Sequence, residues 1–299
     1  MREARSYMII ALLLAAATAA AAGQSPEAPP LAVSTYARVE GDSDAEEVAA
    51  RVAGLIDEAV PRIAALLRTD DLRPVPAFVY LDRSRFLEAT GMPPRSTVVG
   101  LATLPAGVIH IDGTGLLEAI ERVVPHEVGH VMIGRAVGRA LPALPLWLNE
   151  GVAEYVAGER AAQVDPVALR AVGRGTALPL SELDAAFRAR GATDPLAYTE
   201  AASLVNFLVA QRGEGVIADL LADLRERGNF AAALEQTTGW TVSELESAWR
   251  RSVAERWRWP LLLQSPLVPF AVMLLIFIVG LVRFLRERRR RQEMPDEDW

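Results

Sequence analysis

"VVPHEVGHVMIG", Val123 to Gly134, sets two of the chain's three histidines, His126 and His130, four residues apart with Glu127 between them. On an α-helix four residues advance about 400°, so the two imidazoles fall within about 40° of one face, one turn apart. Two imidazoles so placed can share a metal ion. Glu127 is turned roughly 100° from His126, so its carboxylate points beside such an ion, within reach of a water bound to it. The spacing therefore supplies two ligands and a flanking base. Glu118, Glu121, Arg122 and Arg135 surround the motif and place this helix in water, not inside a membrane. Pro125 predicts either a kink or a helix that restarts with the proline in its first turn.

Working outward, "LPLWLNEGVAEYVAG" offers a third ligand. Glu150 follows His130 with nineteen residues between, in a helix predicted to start at Pro145 and stop at Gly158. A turn through "GRAVGRALPALP" lets that helix pack back on the first. A catalytic zinc site takes three protein ligands and keeps a fourth position open for water. His126, His130 and Glu150 are the candidate ligands, and Glu127 the candidate general base. Zinc in such a site lowers the pKa of its water to about 7 and polarises a carbonyl. The chain has no cysteine, which excludes disulfides, a thiol nucleophile and a Cys-bound metal.

The segments before the motif mix strands and helices. Ala32–Val39 alternates weakly, as a first strand would, and Ala45–Leu67 carries apolar residues at helical spacing, with Pro61 as an expected kink. Val75–Asp82 reads as a strand, and Thr97–Thr103 and Gly107–Ile111 as a hairpin. From Gly115 the pattern is helical: Gly115–Val137, Pro145–Ala157, Pro195–Gln211, Gly215–Arg227, Asn229–Gln236 and Val242–Trp257. Asp194 before Pro195 reads as a cap, Gly213 as a stop, and Thr241 with Glu244 as a capping box. The expected fold is α+β: a small mixed sheet with helices, then a helical C-terminal lobe, either as one unit of about 225 residues or as two lobes with a cleft between.

The ends set the compartment. Arg2 and Arg5 precede an apolar run and small residues around Ala20–Gly23, the layout of a signal peptide over residues 1–22, with an uncleaved anchor as the alternative. Residues 23–31 form a Pro- and Ala-rich linker. Leu261–Val282 holds no charge and as a helix reaches roughly 33 Å, enough to cross a bilayer, with the regular helix starting near Pro266. Trp257 and Trp259 then sit at one interface, and Arg283, Arg286 and Arg288–Arg291 at the other. The alternative, a buried core helix, does not account for a one-sided basic flank. These boundaries give an exported ectodomain at residues 32–258, facing the periplasm or the exterior, a transmembrane helix at 261–282 and a cytoplasmic tail at 283–299. The Arg cluster is a topology signal suited to anionic lipid. Nucleic acid is not an expected partner, because the acidic surplus behind the net charge of −7 lies in the ectodomain and repels phosphate.

"HEVGH" followed by "LWLNEGVAEY" resembles the gluzincin peptidases, with their thermolysin- and aminopeptidase N-like zinc site, and most closely the proteins described as peptidase MA-like domains. The likeness extends through "AYTEAASLVNFLVAQRG" and "TTGWTVSELESAW", over about Ala32 to Trp257. The resemblance implies a zincin-like fold, one zinc ion per chain and a peptide or protein substrate. It also implies roles for Asn149 and Glu154, which match positions that orient the zinc-bound histidines, and for Tyr198, which matches an oxyanion-stabilising tyrosine. Tyr198 also belongs to an apolar stripe with Ala201, Ala202, Val205 and Leu208, so packing is its alternative role. No "GAMEN"-type segment is present, so aminopeptidase activity is not supported. His110, in "GVIHID", is expected on an edge strand near the cleft and outside the site; a strand there offers β-augmentation to an extended peptide. The expected function is a membrane-anchored zinc metallopeptidase. Its rivals are an inactive, zinc-stabilised peptide-binding ectodomain and a hydrolase of cell-wall amides.

Overall fold

Alternation along Val75–Tyr80 buries Val75, Ala77 and Val79 on one face of a strand and leaves Pro76, Phe78 and Tyr80 half-buried on the other, as the computed structural model shows. The structure describes residues 29–115, 117–158, 171, 174–188, 195–263 and 267–292. This strand, β3, lies at the centre of a sheet with β1 (Ala32–Val33), β2 (Ala37–Gly41), β4 (Gly100–Thr103) and β5 (Val108–Asp112), in the order β1-β2-β3-β5-β4. β2, β3 and β5 are parallel, with Ala37 opposite Val75 and Ala77 opposite Ile109. β1 and β4 close the two edges antiparallel, and β4 pairs with β5 as the expected hairpin, Ala102 opposite Ile109.

Parallel neighbours need a crossover, and α1 (Glu46–Leu67) supplies the one between β2 and β3. Its stripe Ala49, Val52, Ile56, Ile63 is buried, and it runs on through Pro61. α2 (Arg83–Thr90) follows β3, with Asp82 capping it by accepting from the Ser84 N–H. α3 (Leu117–Val137) packs along α1 and is continuous through Pro125, so it does not restart there. A 3₁₀ turn at Gly138–Ala143 reverses the chain into α4 (Leu146–Ala157). Then come α5 (Leu180–Arg188), α6 (Pro195–Arg212), α7 (Val216–Arg227), α8 (Phe230–Thr238), α9 (Val242–Leu263) and α10 (Leu267–Gln292). The capping box at the head of α9 is present: Glu244 accepts from the Thr241 N–H, and Thr241 Oγ1 accepts from the Glu244 N–H.

The α+β order is as the sequence reading has it, with differences. The weak strand at Ala32–Val39 is two short strands that pair with each other. α2 and α5 were not expected. His110 is on β5, which lies between β3 and β4, so it is on an interior strand and the edge belongs to β4.

Residues up to Arg250 form one compact unit, and Arg251–Trp299 another. The signal segment 1–22, most of the linker, Asp194, Pro266 and tail residues 293–299 lie outside the described residues, as do the side chains of Trp257 and Trp259. Among the described residues no helix is long and apolar enough to cross a membrane, so the span expected over Leu261–Val282 is not found. The described residues of that segment are divided between the end of α9, at Leu263, and the start of α10, at Leu267.

Candidate active site

Helical spacing on α3 brings the His126 and His130 rings together edge to face, their centroids 4.7 Å apart. Their Nε2 atoms lie 3.0 Å from each other. α4 adds Glu150, whose Oε2 is 3.5 Å from both Nε2 atoms. All three side chains are buried.

Close helix contacts make this possible. A Cβ on Gly129, inside the motif itself, would lie 3.2 Å from the Ala153 Cα of α4. One on Gly151 of α4 would lie 2.5 Å from the Ala201 carbonyl oxygen of α6. These glycines stack α3, α4 and α6 at near-backbone separation. An isolated glycine in a helical pattern costs about 1 kcal/mol against alanine, which is the sequence signal that a packing reason exists.

The other nitrogen of each imidazole faces an oxygen. Asn149 Oδ1 is 3.1 Å from His130 Nδ1, and Glu154 Oε1 is 3.4 Å from His126 Nδ1. An oxygen facing Nδ1 favours the tautomer with its proton there, which leaves both Nε2 lone pairs converging with a carboxylate oxygen. Three converging acceptors repel unless a cation lies among them. The donor set, two imidazoles and a carboxylate, suits zinc. Among the described residues, His126, His130 and Glu150 are the group that can converge on one metal ion.

Without an ion the charges perturb one another strongly. Burial lowers the His126 pKa, but the hydrogen bond to Glu150 and the charges of Glu154, Glu127 and Glu150 outweigh it and carry the value up to about 9. Burial raises the pKa of Glu150, yet His130 and His126 bring it down to about 2. For Glu127 burial wins over the two histidines and pushes it up to about 7. The Glu127 carboxylate lies against the backbone of the edge strand β4: the Ala102 backbone lowers its pKa by hydrogen bonding, and a Cβ on Gly100 would lie 3.2 Å from Glu127 Oε1. The base therefore sits between the metal ligands and a sheet edge.

Tyr198, on α6, stands beside this cluster. Its phenol is pushed well above 10, first by burial and then by the negative charges of Glu150, Glu127 and Glu154. Its ring meets Phe187 edge to face at 4.9 Å. His110 belongs elsewhere. It stacks against Phe78 and Tyr80 on the half-buried face of the sheet and accepts from the Tyr80 hydroxyl at 2.9 Å. Gly100, Gly129 and Gly151 carry no chemistry and were not singled out by the sequence reading, although they set the distances on which the chemistry depends.

Residues 56–255, that is 200 of the 299 residues, match the sequence model of the family described as the Peptidase MA superfamily. The match contains every residue placed in the site above. No curated protein matches the chain.

Proposed function

We propose that this chain, which belongs to the Peptidase MA superfamily and is a zinc metallopeptidase, hydrolyses peptide bonds with His126, His130 and Glu150 as zinc ligands and Glu127 as general base. The observation that carries the assignment of roles is the buried carboxylate of Glu127 next to three converging ligand atoms. A structural zinc site closes its fourth position with a side chain and has no use for such a group. Zinc bound there supplies Lewis acidity, polarising the scissile carbonyl and making a water acidic near neutral pH. Glu127 removes the proton from the attacking water as its oxygen bonds to the carbonyl carbon. It then delivers that proton to the nitrogen of the amide as the C–N bond breaks. Tyr198 donates its hydroxyl hydrogen to the developing oxyanion, a role supported by a phenol that burial and three carboxylates keep protonated. Asn149 and Glu154 hold the His130 and His126 rings through their Nδ1 atoms. β4, which is the edge strand among the described residues, passes beside Glu127 and is suited to align an extended substrate by β-augmentation.

Glu127→Gln is expected to lower cleavage of a peptide library by about 10² to 10⁴-fold while elemental analysis still finds one zinc per chain. Undiminished cleavage would sink the assignment of the base.

The domain is exported and tethered in this reading. Leu267, Phe270, Met273, Phe277 and Ile278 of α10 are exposed and apolar, and an apolar surface of that extent belongs in lipid or against a partner. In the sequence the uncharged run from Leu261 to Val282 is 22 residues, the number a bilayer-crossing helix needs. Retention of the full chain with membranes through an alkaline carbonate wash is the test.

A further inference from the structure

α4 carries Asn149 and Glu150, yet it starts on Pro145, whose side chain caps nothing. The first N–H groups of a helix have no partner within it. One of them, Trp147 N–H, donates to Asp184 Oδ1 at 3.2 Å, across 37 positions of sequence. Asp184 sits on α5, and its other oxygen faces Arg188 at 3.7 Å. A carboxylate at that end of α4 also meets the positive end of the helix dipole. The Trp147 side chain is buried and meets Phe230 edge to face at 5.8 Å, so the first turn of α4 is pinned on two sides. Asn149 and Glu150 lie in the next turn. Three residues after Asp184 on the same short helix, Phe187 abuts the Tyr198 ring. α5 therefore touches both halves of the site: the start of the ligand helix through Asp184 and the tyrosine through Phe187.

We propose that α5 is a bracket that fixes Glu150 and Tyr198 relative to each other, with Asp184 and Phe187 as its two positioning residues. Asp184 acts by capping α4 from outside, which sets where Glu150 Oε2 and Asn149 Oδ1 fall against the histidines. Phe187 acts by holding the phenol of Tyr198 at its angle to the carboxylates. Neither touches the metal. The inference rests on the zinc metallopeptidase reading, because only there do these two placements have a chemical consequence.

The experiment uses the full-length chain and reads zinc affinity by competition with a chromophoric chelator, together with amide hydrogen exchange over residues 145–151 of the zinc-free protein. Asp184→Ala is expected to weaken zinc binding about tenfold, the lower end of what loss of an orienting partner costs, and to speed exchange at the first turn of α4. Asp184→Asn keeps an acceptor oxygen and caps as well as Asp, so it should stay within about twofold of wild type in affinity. Glu182→Ala, an exposed carboxylate on the same helix, should change neither quantity. Phe187→Ala should retain zinc affinity and lower kcat for a cleaved peptide more than it raises KM.

Wild-type zinc affinity and exchange in Asp184→Ala would overturn the bracket. So would equal impairment in Asp184→Asn, which would mean that the site needs the negative charge of Asp184 and not its cap. Wild-type protein that takes up no zinc overturns the metallopeptidase reading instead. The exchange comparison would then still judge the cap on its own.

Discussion

His110 shows how one residue's neighbours set its chemistry. Held between Phe78 and Tyr80, it is desolvated, and burial lowers its pKa from 6.5 to about 4. Tyr80 is pushed up to about 12, mainly by burial, so its hydroxyl stays protonated and donates to His110 Nδ1. The folded state thus favours neutral His110, and between pH 6.5 and about 4 the unfolded chain binds the extra proton. The stabilisation is complete above the unfolded value, declines as pH falls through that window and is gone below the folded value, an effect of about 3 kcal/mol. His110→Gln removes the titration and keeps an acceptor for Tyr80. The difference between wild type and variant in urea midpoint is expected to shrink steadily from pH 7 to pH 4. A difference independent of pH would show that His110 is not held neutral. The ligand histidines were legible in the sequence because their spacing is a property of one helix. The environment of His110 was not, because it depends on which strands lie on either side of β5.

At the scale of elements, long-range chemistry depends on close helix contacts. Gly151 faces the Ala201 carbonyl, and a Cβ there would approach to 2.5 Å of an oxygen that cannot move without moving α6. Intrinsic propensity alone would make Gly151→Ala stabilising by about 1 kcal/mol. The clash reverses the sign, and the variant is expected to lose about 1–3 kcal/mol, seen as a lower thermal midpoint of the zinc-free protein. A stabilised variant would mean that α4 and α6 are farther apart than the structure has them. The long helices α1, α3 and α6 could be read in advance because each repeats its apolar positions over several turns. α2 and α5 could not. α2 and α5 are only 8 and 9 residues long, so even the i, i+3, i+7 spacing of Leu180, Leu183 and Phe187 in α5 spans little more than two turns, short of the window over which a helical period is distinct.

For the whole molecule, the compact unit ending at Arg250 carries the complete site, and the apolar part of α10 lies in the other unit. A chain cut after Arg256 is therefore expected to leave the membrane fraction and to bind zinc as the full chain does. If it stayed with the membranes after an alkaline wash, α10 would not be the anchor, and a loss of zinc would mean that the C-terminal segment completes the site. The sequence by itself determined the local geometry: two histidines on one helix face with a base flanking them, a third ligand on the next helix, and a small sheet with helices ahead of a helical half. Those features follow from backbone periodicity, which acts over a few residues. Only the tertiary structure decided that Glu150 reaches both histidines, that β4 and not β5 is the edge beside Glu127, and that Asp184 caps the ligand helix. Each of these joins segments distant along the chain, and their meeting is set by helix packing at Gly129 and Gly151 and by strand order, for which no short stretch of sequence carries the information.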